Sequence, residues 1–308
     1  MCRGNSPQTC EVGAILKDQN YSPLRLPCVG RLSSEFILRV LTLGIDKIVV
    51  MRCEDNFCRF KRGSLTNWCR LQLTNSTIKN FGYDENTLTS VEHSHKAVYD
   101  TDSCVGCGKC VFICPYDAIE SAAWGTPQIN LDKCTGCGAC ALVCPTQAMQ
   151  LDNFEYNPTS ALIESYGKAT KELKARGIPA ILVFCCQWCE FPALDHLQGL
   201  AGEKTIVMEI PCFKGLDPVH VINAFYCGFD GVLAFVCPTD DCKLEKGREI
   251  SERNATVLKD TLEKLHLTDR FEIYEVSPRF KEDFDSKLAS FTKRITPLEA
   301  IPKVKEVR

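Results

Sequence analysis

Two stretches constrain this chain more than any others: "CVGCGKCVFICP" at 104–115 and "CTGCGACALVCP" at 134–145. Each reads C-x2-C-x2-C-x3-C-P, the spacing of a ligand set for paired [4Fe-4S] cubanes. Three thiolates two residues apart wrap three corners of one cubane, and the intervening glycines let the backbone curl tightly around it. The fourth cysteine of each run is expected to start the next helix and reach the other cluster. Cys104, Cys107, Cys110 and Cys144 are thereby assigned to one cubane, and Cys134, Cys137, Cys140 and Cys114 to the second. Pro115 and Pro145 follow the remote cysteine, where proline fits a helix start. Zinc motifs set two C-x2-C knuckles far apart, so zinc is the weaker reading.

The segment from about 99 to 152, which contains both motifs in full, resembles a ferredoxin domain of the two-[4Fe-4S] type. Cysteine makes up 21 of the 308 residues. In a small secreted domain such density would mean disulfides. Here the polar N-terminus "MCRGNSPQTCEVG", the chain length and the spacings point to reduced thiols holding metal in a soluble, cytoplasmic protein. The 36 basic and 39 acidic residues nearly balance, which gives no broad electrostatic case for nucleic acid or an anionic membrane surface. Apolar runs such as "GVLAFVC" are too short for direct membrane insertion.

On either side of this segment lies a repeat. "PCVGRLSSEFILRVLTLGIDKIVVMRCEDNFCRFKRG" (27–63) aligns without a gap on "PCFKGLDPVHVINAFYCGFDGVLAFVCPTDDCKLEKG" (211–247) at an offset of 184 residues. Pro27, Cys28, Leu32, Gly44, Asp46, Cys53, Cys58 and Gly63 meet Pro211, Cys212, Leu216, Gly228, Asp230, Cys237, Cys242 and Gly247. Matched cysteines with matched proline and glycine punctuation predict a duplicated module.

Each copy reads as α/β. In the second, "AILVF", "TIVMEIP" and "GVLAFV" are short apolar runs suited to a parallel sheet. A helix is expected after Asp217 as N-cap and Pro218 at the first helical position, ending at Gly228. "GREISERNATVLKDTLEKLHL" predicts an amphipathic helix on the sheet, and "RFEIYEVS" a last strand. The expected fold class is therefore α/β, with duplicated small doubly wound modules flanking a ferredoxin-like α+β domain. The domain limits are 1–98, 99–152 and 153–308.

In that fold Cys185, Cys186 and Cys189 follow the first strand, Cys212 the second, and Cys237 and Cys242 the third. All six fall at the carboxyl ends of parallel strands, where open α/β sheets bind ligands. Four of them are expected to hold a [2Fe-2S] cluster. Buried inert cysteine suits Cys227, and Cys69 as a second case. The first module offers Cys2, Cys10, Cys28, Cys53 and Cys58 for a second [2Fe-2S] centre. A cluster-free docking module is the alternative there. Its first strand would lie before Met1, which leaves either a late start or a strand supplied by a partner.

The second module resembles the delta subunit of methyl-viologen-reducing hydrogenase, on "FCCQWC", "PCFKGLDP", "GVLAFVCPTDDC" and "KGREISERN". The resemblance implies a small domain with one [2Fe-2S] cluster in a hetero-oligomeric complex. Its partners would be a hydrogenase or dehydrogenase subunit on one side and the flavin-containing subunit of heterodisulfide reductase on the other. It extends to fusions with ferredoxin domains, including the quinone-interacting oxidoreductase type. No G-x-G-x-x-G or G-x4-G-K-[ST] segment is present, so flavin and nucleotide are expected on partners. "HSHK" at 93–96 reads as a solvated linker. The function expected is electron relay without substrate chemistry. The alternative is an enzyme using Cys185 and Cys186 as a reactive dithiol, or a cluster with an open coordination position.

Overall fold

The computed structural model describes residues 24, 26, 28–54, 58, 62–93, 95–122, 125–152, 154–186, 205–238, 242, 244, 246–277, 281–298 and 301. The chain divides into two compact units, Met1–Ser94 and His95–Arg308.

In the first unit a 3-10 turn, Val29–Arg31, leads into α1 (Ser34–Thr42), β1 (Ile48–Cys53), α2 (Gly63–Asn80) and β2 (Leu88–His93). α1 starts where Ser33 Oγ accepts the Phe36 N–H at 3.2 Å, and chain reversal follows at Gly44 with φ +86°. β1 and β2 pair in parallel, with Arg52 opposite Glu92 and ion-paired to it. Ile37, Leu41, Val50, Met51, Leu71, Ile78 and Leu88 are buried; the successive Val50 and Met51 show that β1 is covered on both faces.

The second unit begins with β3 (Ala97–Tyr99), α3 (Lys109–Ile113), β4 (Ile119–Ser121), β5 (Pro127–Ile129), α4 (Ala139–Leu142) and β6 (Met149–Leu151). β3 pairs antiparallel with β6, and β4 with β5. Everything recurs after thirty residues: β3 becomes β5, β4 becomes β6, and even the backbone exceptions repeat. Gly106, Gly108 and Asp117 have φ of 64°, 71° and 49°; Gly136, Gly138 and Gln147 have 67°, 82° and 56°. Ala97, Ala118, Ile119, Cys134, Cys140 and Met149 form its core. The fold corrects one expectation. The fourth cysteines do not start helices: α3 ends at Ile113 with Cys114 as its cap, and α4 ends at Leu142 two residues before Cys144. The short helix forms on the third cysteine, and Pro115 and Pro145 stop it.

From Tyr156 the unit continues through α5 (Tyr156–Ala175), β7 (Ile181–Cys186), β8 (Thr205–Ile210), a 3-10 turn at Phe213–Gly215, α6 (Pro218–Tyr226), β9 (Gly231–Val236), α7 (Arg248–Lys264), β10 (Phe271–Glu275) and α8 (Lys281–Ile295). Asp217 caps α6 through Val219 N–H at 2.8 Å, with Pro218 in the first turn and Gly228 at φ 103° after its end. The four strands are all parallel in the order β10-β9-β7-β8. Helices cover both faces. α5, α6 and α7 contribute Ile163, Val221, Phe225, Leu258 and Leu262 against Leu182, Phe184, Val232 and Ala234. α8 contributes Phe284, Leu288, Phe291 and Ile295 against Ile181, Val183, Leu233 and Phe235. β7 is buried at all six positions, as a central strand covered on both sides must be. Each fully buried phenylalanine contributes on the order of 2 kcal/mol.

Within this unit "HSHK" is not a solvated linker at His95. Its ring is buried, with Nδ1 3.0 Å from Asp152 O and an edge contact to Phe154 at 4.6 Å. A backbone carbonyl and an aromatic edge offset part of the loss of water.

Candidate metal centres

Strand order decides where a ligand can sit. In sequence terms the sheet reads 2-1-3-4, so its direction of winding reverses between β7 and β9. The crevice outside the carboxyl ends of those strands is the site such sheets use. Cys186 ends β7 and Cys237 follows β9.

Before that crevice come the two cysteine runs. One cavity, about 360 Å³, is lined by Cys104, Cys107, Cys110 and Cys144 together with Gly106, Gly108 and Met149. A second, about 330 Å³, is lined by Cys114, Cys134, Cys137 and Cys140 with Gly136, Gly138 and Tyr116. Each cavity thus gathers three cysteines of one run and the last cysteine of the other, the grouping expected from spacing. Among the described residues no three His, Cys, Asp or Glu side chains converge closely enough to hold a single ion. The thiols surround spaces, and the donor sets fit polynuclear clusters.

Local backbone serves the sulfurs. Ala118 N–H donates to Cys114 Sγ at 3.4 Å, Met149 N–H to Cys144 Sγ at 3.3 Å, and Ala97 N–H to Cys134 Sγ at 3.4 Å. Such bonds draw charge from a ligating sulfur. Burial pulls the Cys144 thiol upward, but Met149 N–H and the Thr146 hydroxyl outweigh it and hold it below its ordinary value. Burial pushes Cys110 up, Cys137 up to about 12, and Cys140 well above the usual range, where neighbouring thiols add to it. Thiolates form at such positions when a metal supplies the missing positive charge. The two sites differ in access. Cys107 is exposed, whereas Cys134, Cys137 and Cys140 are buried.

The second cavity adjoins the crevice. Cys137, Ala139, Cys212, Leu244 and Ile250 form one packed cluster, with Ile113, Tyr116 and Cys242 against it. Cys186 hydrogen-bonds Cys212, and this contact with the Lys214 ammonium holds the Cys212 thiol below its ordinary range despite burial. Cys186 Sγ also lies 3.7 Å from Pro211 O. Cys186, Cys212 and Cys242 are therefore brought together. Cys185 is not with them. Side chains alternate along a strand, and Cys185, fully buried, packs with Phe235 and Phe284 on the opposite face. Cys237 is half-buried at the strand end. Cys189 lies outside the described residues. Cys227 caps α6 half-buried, its thiol raised by burial. Cys69, expected as buried, is exposed on α2.

In the first unit Cys28 caps the 3-10 turn, accepting Gly30 N–H at 3.4 Å. Cys58 Sγ accepts Ser64 N–H at 3.4 Å, and Ser64 Oγ donates to Cys53 O. Cys28, Cys53 and Cys58 are all buried; Cys2 and Cys10 lie outside the described residues.

Buried Lys214 was missed by sequence reasoning. Its position in "PCFKGLDP" carries no sign that a lysine would be interior, because charged side chains are almost never fully buried.

Two families of known proteins match the chain. The family described as methyl-viologen-reducing hydrogenase, delta subunit, matches residues 3–104 and 181–299. A 4Fe-4S dicluster domain matches 97–151. A subunit of the ferredoxin:CoB-CoM heterodisulfide reductase of Methanosarcina mazei is 32% identical over 207 residues, 66% of this chain and 25% of that protein. The corresponding subunit of the ferredoxin/F(420)H(2)-dependent CoB-CoM heterodisulfide reductase of Methanosarcina acetivorans is 31% identical over the same shares. The F420-non-reducing hydrogenase vhc iron-sulfur subunit of Methanococcus voltae is 29% identical over 90 residues, 28% of this chain and 62% of that protein. The chain spans about a quarter of the length of the reductase subunits. With family matches on both sides of the cysteine runs covering more than half its residues, the chain belongs to the methyl-viologen-reducing hydrogenase delta subunit family and carries a 4Fe-4S dicluster domain between the two matches.

Proposed function

We propose that the chain relays single electrons as the iron-sulfur subunit of a heterodisulfide-reductase-type complex. Its neighbours would be a flavoprotein akin to the flavin-containing subunit of heterodisulfide reductase and a hydrogenase or dehydrogenase subunit. The observation that carries this reading is the contiguity of three thiol sites in one compact unit. A cavity with Cys104, Cys107, Cys110 and Cys144, the more exposed cysteines, neighbours one with Cys114 and the buried Cys134, Cys137 and Cys140, and that one packs on Cys212 and Cys242. Bound there, iron-sulfur clusters supply one-electron oxidation and reduction at potentials set by charge, hydrogen bonds and exposure.

The residues of the chain do the rest. Backbone N–H groups of Ala97, Ala118 and Met149 stabilise charge on ligating sulfur, and buried Ala139, Leu244 and Ile250 exclude water between the second and third sites. The third site is assigned a [2Fe-2S] cluster held by Cys186, Cys212 and Cys242, with Cys237 or Cys189 as the fourth ligand. The first unit repeats the order turn, helix, strand, helix, strand found from Phe213 to Glu275, which supports a duplicated module with limits near 1–98 and 153–308 around the ferredoxin-like segment. Cys28, Cys53 and Cys58 make it a candidate for a second [2Fe-2S] centre. A cytoplasmic location fits reduced thiols, and none of the described helices is long and apolar enough to cross a membrane.

The dithiol-enzyme alternative is disfavoured by one observation: Cys185 and Cys186 point to opposite faces of β7, so they do not form a vicinal redox pair without breaking the strand. The test is anaerobic reduction of the purified chain followed by addition of a viologen acceptor or a disulfide. The proposal expects cluster bleaching to reverse with the viologen and no disulfide turnover. Turnover of disulfide by the chain alone would contradict it.

A further inference from the structure

The buried lysine beside the third site has a charge that nothing in the relay scheme yet uses. Lys214 is 2% exposed, yet among the described residues it forms no ion pair with a carboxylate. Its Nζ donates to Leu244 O at 2.5 Å and to Lys246 O, and stands 5.6 Å from the centre of the Tyr116 ring. Two carbonyls accept two of the ammonium's three protons and do not neutralise it, and an interior charge is costly unless charge of the opposite sign stands near it. Cysteines of two different sites lie around it: Leu244, whose carbonyl it bonds, packs in one cluster with Cys137 from the dicluster segment and Cys212 from the α/β segment.

Its placement follows from an unusually tight junction. The 3-10 turn carrying Lys214 runs against the loop of Cys137, where a Cβ on Gly215 would stand 2.8 Å from Gly138 Cα and 2.9 Å from Cys137 O. Opposite it, a Cβ on Gly247 would meet Pro115 Cγ at 2.8 Å. Asn254 pins the turn by donating to Phe213 O at 3.1 Å and Leu216 O at 2.7 Å. The backbone on both sides is thereby held, and Lys214 Nζ is tied to the Leu244 and Lys246 carbonyls beside Tyr116, which lines the second cavity.

Resting on the relay reading, we propose that Lys214 is a fixed positive charge shared by the Cys114/Cys134/Cys137/Cys140 site and the Cys186/Cys212/Cys242 site, raising the reduction potential of both and favouring the electron's stay at this junction. Adding one electron to either site makes it one unit more negative, and a nearby cation in a water-poor interior stabilises that product more than the oxidised form. Lys214 is a tuning residue and ligates nothing.

The experiment is an EPR-monitored redox titration of the full chain carrying Lys214→Met, Lys214→Gln or Lys214→Arg, with iron content measured on each. Gln keeps a donor for the carbonyls and loses the charge; Arg keeps the charge. The expected result is that Met and Gln lower the second cubane's reduction equilibrium constant about tenfold, a downward shift of about 59 mV for a one-electron couple. The more exposed cubane stays near its original potential, and Arg stays near wild type. If Met and Gln both lose the second cluster while Arg retains it, the charge requirement stands in a stronger form. An unchanged potential in Gln, or equal loss of cluster in Arg, overturns the proposal. The cubane readout does not need a third cluster, so absence of a [2Fe-2S] signal in wild type would count against the relay reading alone.

Discussion

Gly138 and Gly215 approach so closely that each occupies the space of the other's missing side chain: a Cβ on Gly138 would lie 3.1 Å from Gly215 Cα, and one on Gly215 would lie 2.8 Å from Gly138 Cα. One glycine belongs to the cysteine run that lines the second cavity and the other to the turn after Cys212. Contact between the two sites therefore depends on residues that have no side chain.

Gly215→Ala should be destabilising without any backbone strain of its own, since the neighbouring atoms are backbone and have no soft side chain to give way. The expected cost is about 1–3 kcal/mol, as for overpacking a filled interior. Thermal unfolding of the full chain would register it, accompanied by a shift in the second cubane's EPR signal. Gly177→Ala is the comparison, because nothing lies within 4 Å of a Cβ there and only its φ of +68° opposes the change.

The crossed grouping of cysteines makes a counterintuitive prediction for Cys144. It lies in the second run but lines the first cavity. Cys144→Ser should therefore damage the more exposed cubane and spare the buried one, removing up to about four iron per chain. Cys114→Ser should do the reverse. Loss of the buried cluster in the Cys144 variant would contradict the cavity assignment.

Neighbouring cysteines on β7 should behave differently. Cys186→Ser is expected to abolish the signal of the third cluster, because its thiol joins Cys212. Cys185→Ser should keep that signal and instead lose about 1–3 kcal/mol, the cost of a hydroxyl among Phe235, Phe284 and Leu288. The pair of variants, read by EPR and thermal unfolding, separates ligand from core.

Asn254 and Asn67 do the same work in the two units: Asn67 Nδ2 donates to Val29 O at 3.0 Å, on the turn that matches Phe213–Gly215 in the repeat. Replacing Asn254 by Ala leaves two buried carbonyls short of a donor and should cost about 1–3 kcal/mol. Because that turn carries Cys212 and Lys214, the loss should appear in the third cluster's retention as well as in thermal stability.

Much of this was legible in residue order. The crossed grouping of eight cysteines around two cavities followed from their spacing, and Asp217, Pro218 and Gly228 marked both ends of α6 through cap chemistry that is local by nature. What escaped was non-local. The opposite directions of Cys185 and Cys186 depend on β7 running two residues further than its apolar run "AILVF" indicated. The burial of His95 depends on Asp152 and Phe154, more than fifty residues on. Lys214 lies inside only because carbonyls thirty residues away receive its protons, and no short window of sequence contains both partners. The short helices on Cys110 and Cys140 have a local cause instead, the prolines that follow them, which stop each helix before it gains a second turn.

The most direct test of the account is iron and acid-labile sulfide per chain on anaerobically purified protein, with EPR after stepwise reduction. The account predicts about ten iron with a [2Fe-2S] signal beside two cubanes, or about twelve if the first unit is also loaded. A value near eight, with cubane signals only, would contradict the third site as a conductor.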